Sequence, residues 1–221
     1  MLRAPENCFV HVPKTGGTSI ERAFGLKHDH VPFNASSCKN VFSVLRDPVD
    51  RASSAYHFCR QTPWDGVLKR NNTNHCCHSR VVRALPLSSW VELVLGGNAP
   101  CGMPGAGRPH PFVAPMEYWL GEEWWRDARV NLLRTHCLIA DGRAVLNATV
   151  WHEYRTNVSS ACLGLTERAW NVVSAHCKQE FSVLYGRNVV DMNDWSDSCA
   201  RRTCSRWARL RRPELAPPSA T

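Results

Sequence analysis

Two strand–turn–helix units follow one another in residues 8–58, and they constrain the fold more than any other feature of the sequence. Cys8–Val12 is a short apolar run, and a glycine-containing turn leads from it into Thr18–Phe24, a predicted helix. Val41–Leu45 is a second apolar run, followed by the predicted helix Val49–Phe58. Since buried strands that alternate with helices form parallel sheets, the sequence predicts an α/β fold.

Further elements are predicted along the rest of the chain. Thr18 followed by Glu21 fits a capping box at the start of the first helix, and Gly25 fits its end. We also expect a helix over Ser88–Leu95, a strand over Val130–Leu133 and a long helix over Thr166–Tyr185 capped by Thr166. The length of 221 residues suits one domain, expected over residues 1–210, with a disordered tail at residues 211–221.

The first turn, Pro13–Ser19, has the composition of a phosphate cradle. Gly16 and Gly17 expose backbone N–H groups, the following helix carries partial positive charge at its N-terminus, and Lys14 adds a full charge. A Walker A loop has its lysine after the glycines, whereas Lys14 precedes them. No acidic partner for Mg²⁺ is evident either, so a kinase is disfavoured and a transfer without metal fits better.

The second turn supplies another candidate anion contact. Arg46 follows the second strand, at the sheet edge where parallel α/β folds bind ligands. Ser54 comes eight residues later, about two turns into the next helix. Arginine suits a phosphate because its planar guanidinium donates two parallel hydrogen bonds.

In these two segments the sequence resembles the PAPS-dependent sulfotransferases, where PAPS is 3′-phosphoadenosine 5′-phosphosulfate. The likeness is strongest to Golgi carbohydrate enzymes of the heparan sulfate O-sulfotransferase type, which begin with a Lys-Thr-Gly-Gly-Thr turn. The resemblance implies a P-loop-like three-layer fold, with a central parallel sheet flanked by helices, and transfer of a sulfuryl group to a carbohydrate hydroxyl. It also implies that Arg46 and Ser54 bind the 3′-phosphate, and that the 5′ side is bound by Lys14, Thr15, Gly16, Gly17, Thr18 and Ser19.

The acceptor hydroxyl requires a general base, which the resemblance implies is His or Glu. His30 is the first candidate and His28 the second, because both lie in the loop between the two motifs. His57 lies beside Ser54 on a helix and is expected to pack. Further alternatives are His110 and Glu117.

The net charge of +8 favours polyanionic partners such as an acidic polysaccharide, nucleic acid or acidic lipid. Part of that charge lies in an arginine run near the C-terminus, either a solvated tail or a docking patch for a sulfated or carboxylated glycan. No nucleic-acid recognition motif is present, so nucleic acid is not an expected partner. The nine tryptophans are expected mainly in the core, with a sugar-binding groove as the alternative.

Cysteine content and glycosylation sequons together favour an oxidising, secretory compartment, and the resemblance implies the Golgi lumen. The chain has 11 cysteines, and Asn-X-Ser/Thr sequons stand at Asn34, Asn71, Asn147 and Asn157. The N-terminus lacks the apolar core of a signal peptide, and no stretch is long enough to span a membrane. The chain is therefore either cytoplasmic or preceded by an anchor outside this sequence.

Individual cysteines allow narrower expectations. The segment His75–His78 fits a disulfide-rich loop better than a zinc site, because its two cysteines are adjacent. Cys199 and Cys204 would close a small loop, and Cys8, in a predicted core strand, is the expected free thiol.

Two other readings of the whole chain stay open beside the leading one. A P-loop kinase of a nucleotide or small molecule would use the same first turn with Mg²⁺. A sulfotransferase fold without turnover would bind sulfated glycans only.

Overall fold

A computed structural model describes residues 7–26, 30, 32–33, 38–61, 84–95, 112–148, 150, 165–185 and 192. Their strands are β1 (Asn7–Val10), β2 (Asn40–Leu45) and β3 (Val130–Arg134). Their helices are α1 (Gly17–Phe24), α2 (Pro48–Gln61), α3 (Leu87–Leu95), α4 (Met116–Leu120), α5 (Leu138–Leu146), α6 (Glu167–His176) and α7 (Lys178–Tyr185). A 3-10 turn over Thr135–Cys137 joins β3 to α5.

The three strands form one parallel sheet with β2 in the middle. Cys8 lies opposite Val41 in the pairing of β1 with β2, and Val41 lies opposite Val130 in the pairing of β2 with β3. The predicted parallel sheet is therefore confirmed. Because the strands run in the same direction, the turns that follow them meet at one edge.

Helices cover both faces of this sheet, as the alternation of side chains along β2 requires. Val41 and Leu45 share a buried cluster with Trp119 of α4. Phe42 and Val44 belong to another buried cluster, with Ile20 of α1, on the opposite face. The described part of the chain is thus an α/β arrangement with helices on either side of a central sheet.

A further hydrophobic cluster joins α2, α3, α6 and α7 beside the sheet. Trp90 and Trp170 are almost fully buried in it, and Trp119 and Trp124 are as deeply buried against the sheet. At these four positions the expectation that tryptophan fills the core is confirmed.

Helix α2 extends to Gln61, beyond its predicted end at Phe58, and the start of the first helix also differs from the prediction. The first helix begins at Gly17 with Gly16 as its N-cap and no side-chain capping bond, so the capping box from Thr18 is wrong. The backbone N–H of Ser19 donates to the Gly16 carbonyl at 3.1 Å, because the left-handed Gly16 starts the helix one residue earlier. Gly25 ends the helix as predicted.

The predicted long helix over Thr166–Tyr185 consists of two helices. Thr166 caps the first, accepting a hydrogen bond from the Ala169 N–H, as expected. Cys177 leaves the helical region at φ −116° and ψ 33°, and it separates α6 from α7. The break lets Trp170 and Phe181 pack together, with ring centroids 5.4 Å apart, in the same cluster.

Cys8 is not the free thiol. It forms a disulfide with Cys38, while Cys177 is a buried thiol. Cys59 and Cys137 are also disulfide-bonded. The expectation that this chain uses disulfides is confirmed, whereas the pairs expected around His75–His78 and at Cys199 and Cys204 lie outside the described residues.

Helices α4 and α5 and the 3-10 turn between β3 and α5 were not predicted from the sequence. The expected domain limit at residue 210 and the tail at 211–221 fall on residues that the structure does not describe. In the described ranges, every helix is too short or too polar to cross a membrane.

A buried ion pair fixes the end of β3 against α5. Arg134 donates from Nε and Nη2 to the two carboxylate oxygens of Asp141, at 2.9 and 2.7 Å, and its backbone N–H donates to the same carboxylate at 2.8 Å. Only 6% of the Arg134 side chain and 13% of the Asp141 side chain are exposed. Removal of one partner would leave the other charge buried without a compensating charge, which is destabilising.

We therefore expect Asp141→Asn to lower the free energy of unfolding by about 2–4 kcal/mol. Chemical denaturation monitored by tryptophan fluorescence measures the change. Asp127→Asn is the matched control, because the Asp127–Arg129 pair is more exposed. This variant should lower the free energy of unfolding by less than about 1 kcal/mol. Equal losses in the two variants would contradict a special role for the buried pair.

Candidate anion-binding site

The turn after β1 is a candidate anion-binding nest, because positive φ angles recur at alternate residues. Lys14 has φ 66° and Gly16 has φ 94°, both left-handed, whereas Thr15 between them is outside that region. Alternation of left- and right-handed residues turns successive N–H groups toward one side of the chain. Since Lys14 is not glycine, its left-handed backbone is costly and must be held by its surroundings.

Hydrogen bonds from all three strand ends hold this turn. Arg46, directly after β2, donates from Nη1 to the Lys14 carbonyl at 3.0 Å. Thr135, directly after β3, donates its hydroxyl to the Thr15 carbonyl. The Thr15 hydroxyl in turn donates to the Val12 carbonyl at 2.8 Å. The carboxyl edge of the sheet therefore converges on residues 12–16.

Gly17 is required because α1 starts against a buried histidine ring. A Cβ atom at this position would lie 2.3 Å from Cδ2 of His11. The His11 ring is itself fixed, since its Nδ1–H donates to the Glu21 carboxylate at 2.6 Å, and both side chains are buried. The contact holds the N-terminus of α1 directly beside the nest.

Lys14 lies close to a second cation and is largely buried. Burial and the neighbouring Arg46 guanidinium together lower the pKa of Lys14 to about 8. Its Nζ lies 4.1 Å from the centroid of the Phe58 ring. Among the described residues, the Lys14 ammonium forms no ion pair with a carboxylate. The charge of Lys14 is therefore available to a bound anion.

Asp47 anchors α2 behind the site. Its Oδ1 accepts from the Asp50 N–H at 2.9 Å, which caps the helix, and its Oδ2 accepts from the Tyr185 hydroxyl at the end of α7. Ser54 follows on α2 with a buried side chain. The structure thus brings Arg46 to the Lys14 turn and places Ser54 on the helix that begins next to it.

The remaining predicted binding residues lie on the first turn of α1. Thr18 is half-buried and Ser19 is buried. Lys14, Thr15, Gly16 and Gly17 form the turn and the helix start described above. The predicted first motif is therefore one contiguous structural unit at the end of β1.

The candidate bases fall at different places. The His30 ring packs against the His11 ring at an interplanar angle of 60°, with ring centroids 4.2 Å apart, and its Nδ1–H donates to the His11 carbonyl at 3.0 Å. His57 lies on α2 with its ring against Tyr56, and Glu117 is exposed on α4. His28 and His110 lie outside the described residues.

Thr135 is a residue of this site that the sequence analysis did not single out. Like Arg46, it is a polar residue directly after a buried parallel strand, and that position was the signal that could have identified it. Phe58 was assigned to a helix, but its contact with Lys14 was not foreseen.

Comparison of the chain with protein-family models, with curated proteins and with solved structures finds no match. A functional assignment therefore depends on the residues of the site.

Lys14 gives a prediction about stability that needs no ligand. Because its folded pKa of about 8 lies below the usual 10.5, the charged form opposes folding below pH 8. That cost declines as pH rises between 8 and 10.5. Lys14→Met should therefore raise the melting temperature at pH 7 by about 2–4 °C, and the gain should disappear near pH 10.5.

Differential scanning fluorimetry at the two pH values measures this effect. Lys39→Met, which removes an exposed positive charge, is the control and should change the melting temperature by less than about 1 °C. A loss of stability in Lys14→Met at pH 7 would show that the buried ammonium does not oppose folding.

Proposed function

We propose that this protein is a sulfotransferase that moves a sulfuryl group from PAPS to a hydroxyl of a carbohydrate. The observation that carries the proposal is the contact between the two predicted motifs. Arg46 of the second motif donates to the main chain of Lys14 in the first, at the carboxyl edge of a parallel sheet. Two cations side by side at such an edge favour a ligand with more than one anionic group.

The fold that we propose for the whole chain is P-loop-like and three-layered. Its support is the parallel sheet with helix-lined clusters on both faces, and the strand–turn–helix unit that carries the nest. The lysine before the glycines still separates this turn from a Walker A loop.

In this proposal the two motifs bind different ends of the nucleotide. The residues of the first, Lys14, Thr15, Gly16, Gly17, Thr18 and Ser19, bind the 5′-phosphosulfate through N–H groups, hydroxyls and the ammonium. Arg46 and Ser54 bind the 3′-phosphate. An anion at Lys14 would stabilise the charged ammonium, which offsets the like-charge repulsion from Arg46.

The proposed reaction is an in-line displacement at sulfur. The bond between sulfur and the bridging phosphate oxygen breaks, and a bond from the acceptor oxygen to sulfur forms, with the nucleotide PAP as the leaving group. Lys14 is mostly protonated at pH 7, so its ammonium stabilises the charge on the leaving oxygen. The backbone N–H groups of the nest stabilise the sulfuryl oxygens. We propose that no metal is required.

His30 is the proposed general base, with His28 as the second choice. When its Nδ1 carries the proton donated to the His11 carbonyl, the neutral ring has its lone pair on Nε2. That nitrogen is the atom that would accept the proton of the acceptor hydroxyl. The hydrogen bond thus fixes the tautomer that a base needs.

The proposed compartment is the Golgi lumen. Its support is the disulfide between Cys8 and Cys38, together with the bonded state of Cys59 and Cys137, because disulfides persist in oxidising compartments. A glycan acceptor is part of the same proposal and agrees with the net charge of +8.

Calorimetric titration with PAP, without metal, tests the proposed co-substrate. The protein should bind PAP with micromolar affinity or better, and Arg46→Ala should weaken binding about 10- to 100-fold, because a charge-assisted phosphate contact is lost. Lys14→Ala should weaken it by a similar factor. Arg126→Ala removes an exposed arginine paired with Glu123 and should leave the affinity unchanged.

Titration with ATP and Mg²⁺ in parallel separates the main alternative. Tight binding of Mg²⁺-ATP with no response to PAP would assign the turn to a kinase. PAP affinity that is unchanged in Arg46→Ala would remove the assignment of Arg46 to the 3′-phosphate. PAP binding without turnover on any glycan would favour a glycan-binding relative.

His30→Gln separates catalysis from nucleotide binding. We expect sulfation of a heparan-type oligosaccharide from PAPS to fall about 10²- to 10⁴-fold while PAP affinity stays within twofold. His57→Gln, on α2, should keep most of the activity. Comparable activity in His30→Gln and the wild type would transfer the role to another candidate, with His28 next in order.

A further inference from the structure

The end of β3 contributes one side chain to a site whose charges come from the ends of β1 and β2. Thr135 is the residue directly after Arg134, and its hydroxyl donates to the Thr15 carbonyl. The same hydroxyl lies 3.3 Å from the Leu45 carbonyl. A hydroxyl has one proton to donate, so the closer Thr15 carbonyl receives the main hydrogen bond.

This bond has a consequence for the neighbouring N–H group. In a planar trans peptide, the carbonyl of one residue and the N–H of the next point in opposite directions. The Thr15 carbonyl and the Gly16 N–H belong to one peptide unit. Because that carbonyl points toward Thr135, the Gly16 N–H points away from β3. The bond from Arg46 to the Lys14 carbonyl fixes the Thr15 N–H in the same way.

Thr135 is itself held rigidly. The preceding Arg134 forms its bidentate, buried ion pair with Asp141, and that carboxylate also accepts from the Arg134 backbone N–H. Arg134 is the last residue of β3 and Asp141 lies in the first turn of α5, so the pair spans the short segment that contains Thr135. The hydroxyl of Thr135 is thus presented from a fixed point.

We propose that Thr135 is a positioning residue, which orients the Gly16 N–H toward the phosphosulfate by holding the Thr15 carbonyl. Thr135 does not touch the nucleotide in this role. The inference deepens the proposed function and depends on it for the identity of the anion, whereas the orientation of the N–H group applies to any phosphate-like anion at the turn.

The test follows the backbone amides of Thr15 and Gly16 by ¹⁵N NMR during separate titrations with pyrophosphate and PAP. In the wild type both amides should shift with either ligand. Thr135→Val, which keeps the shape and removes the donor, should weaken both affinities about tenfold and reduce the Gly16 shift. Thr135→Ser keeps the donor and should restore both. Thr135→Ala serves if the valine variant does not fold.

Ser43→Ala is the matched control for a purely structural effect. The Ser43 hydroxyl donates to the Val10 carbonyl at 2.9 Å and is buried within the same sheet, away from the turn. The variant should lower the melting temperature as a lost hydrogen bond does, but leave both affinities within twofold. A common loss in Ser43→Ala and Thr135→Val would reduce Thr135 to a structural contact and overturn the proposal.

The other outcomes separate this proposal from the proposed function. Wild-type affinities in Thr135→Val would overturn the positioning role and leave the sulfotransferase assignment standing. A response to pyrophosphate that depends on Thr135, with none to PAP, would support the positioning role and reject PAPS as the co-substrate. No response to either ligand would overturn both.

Discussion

The burial of the Lys14 ammonium beside the Arg46 guanidinium is the constraint on which the site depends. A largely buried ammonium beside a guanidinium opposes folding, and this is why the pKa of Lys14 falls to about 8. The structure compensates in part, because Arg46 donates to the Lys14 carbonyl and the Phe58 ring lies under the ammonium. An anion between the two cations would remove the rest of the cost, so the same feature that lowers stability favours binding.

Buried polar contacts behind the site keep these cations in place. Arg51 of α2 donates to the carbonyls of Val113 and Ala114, and the Glu180 carboxylate of α7 accepts from the Met116 N–H at 2.8 Å. Burial raises the pKa of Glu180, while the nearby Arg51 opposes that rise. Specific hydrogen bonds thus join α2 to the segment just before α4 and join α4 to α7, and the helix that follows Arg46 has little freedom to turn.

The local features of the site could be predicted from the sequence, whereas the long-range contacts of the site could not. The apolar runs, the glycines and the caps at Gly25 and Thr166 determine structure within a few residues, and those predictions are confirmed. The break at Cys177 follows instead from the packing of Phe181 on Trp170, and the contact of Thr135 with the first turn follows from strand order. Neither the packing nor the strand order leaves a periodic signal in the sequence.

One short segment links the proposed base, His30, to Lys14, the proposed cation at the leaving oxygen. His30 is fixed to the carbonyl of His11, and Lys14 follows three residues later, across a stretch that spans at most about 10 Å. Pro13 and the bond from Thr15 to Val12 stiffen this stretch. In an in-line transfer the base must lie on the acceptor side of sulfur and the ammonium on the leaving side. Because both depend on the same few peptide units, a shift of the turn would carry them together and keep their separation.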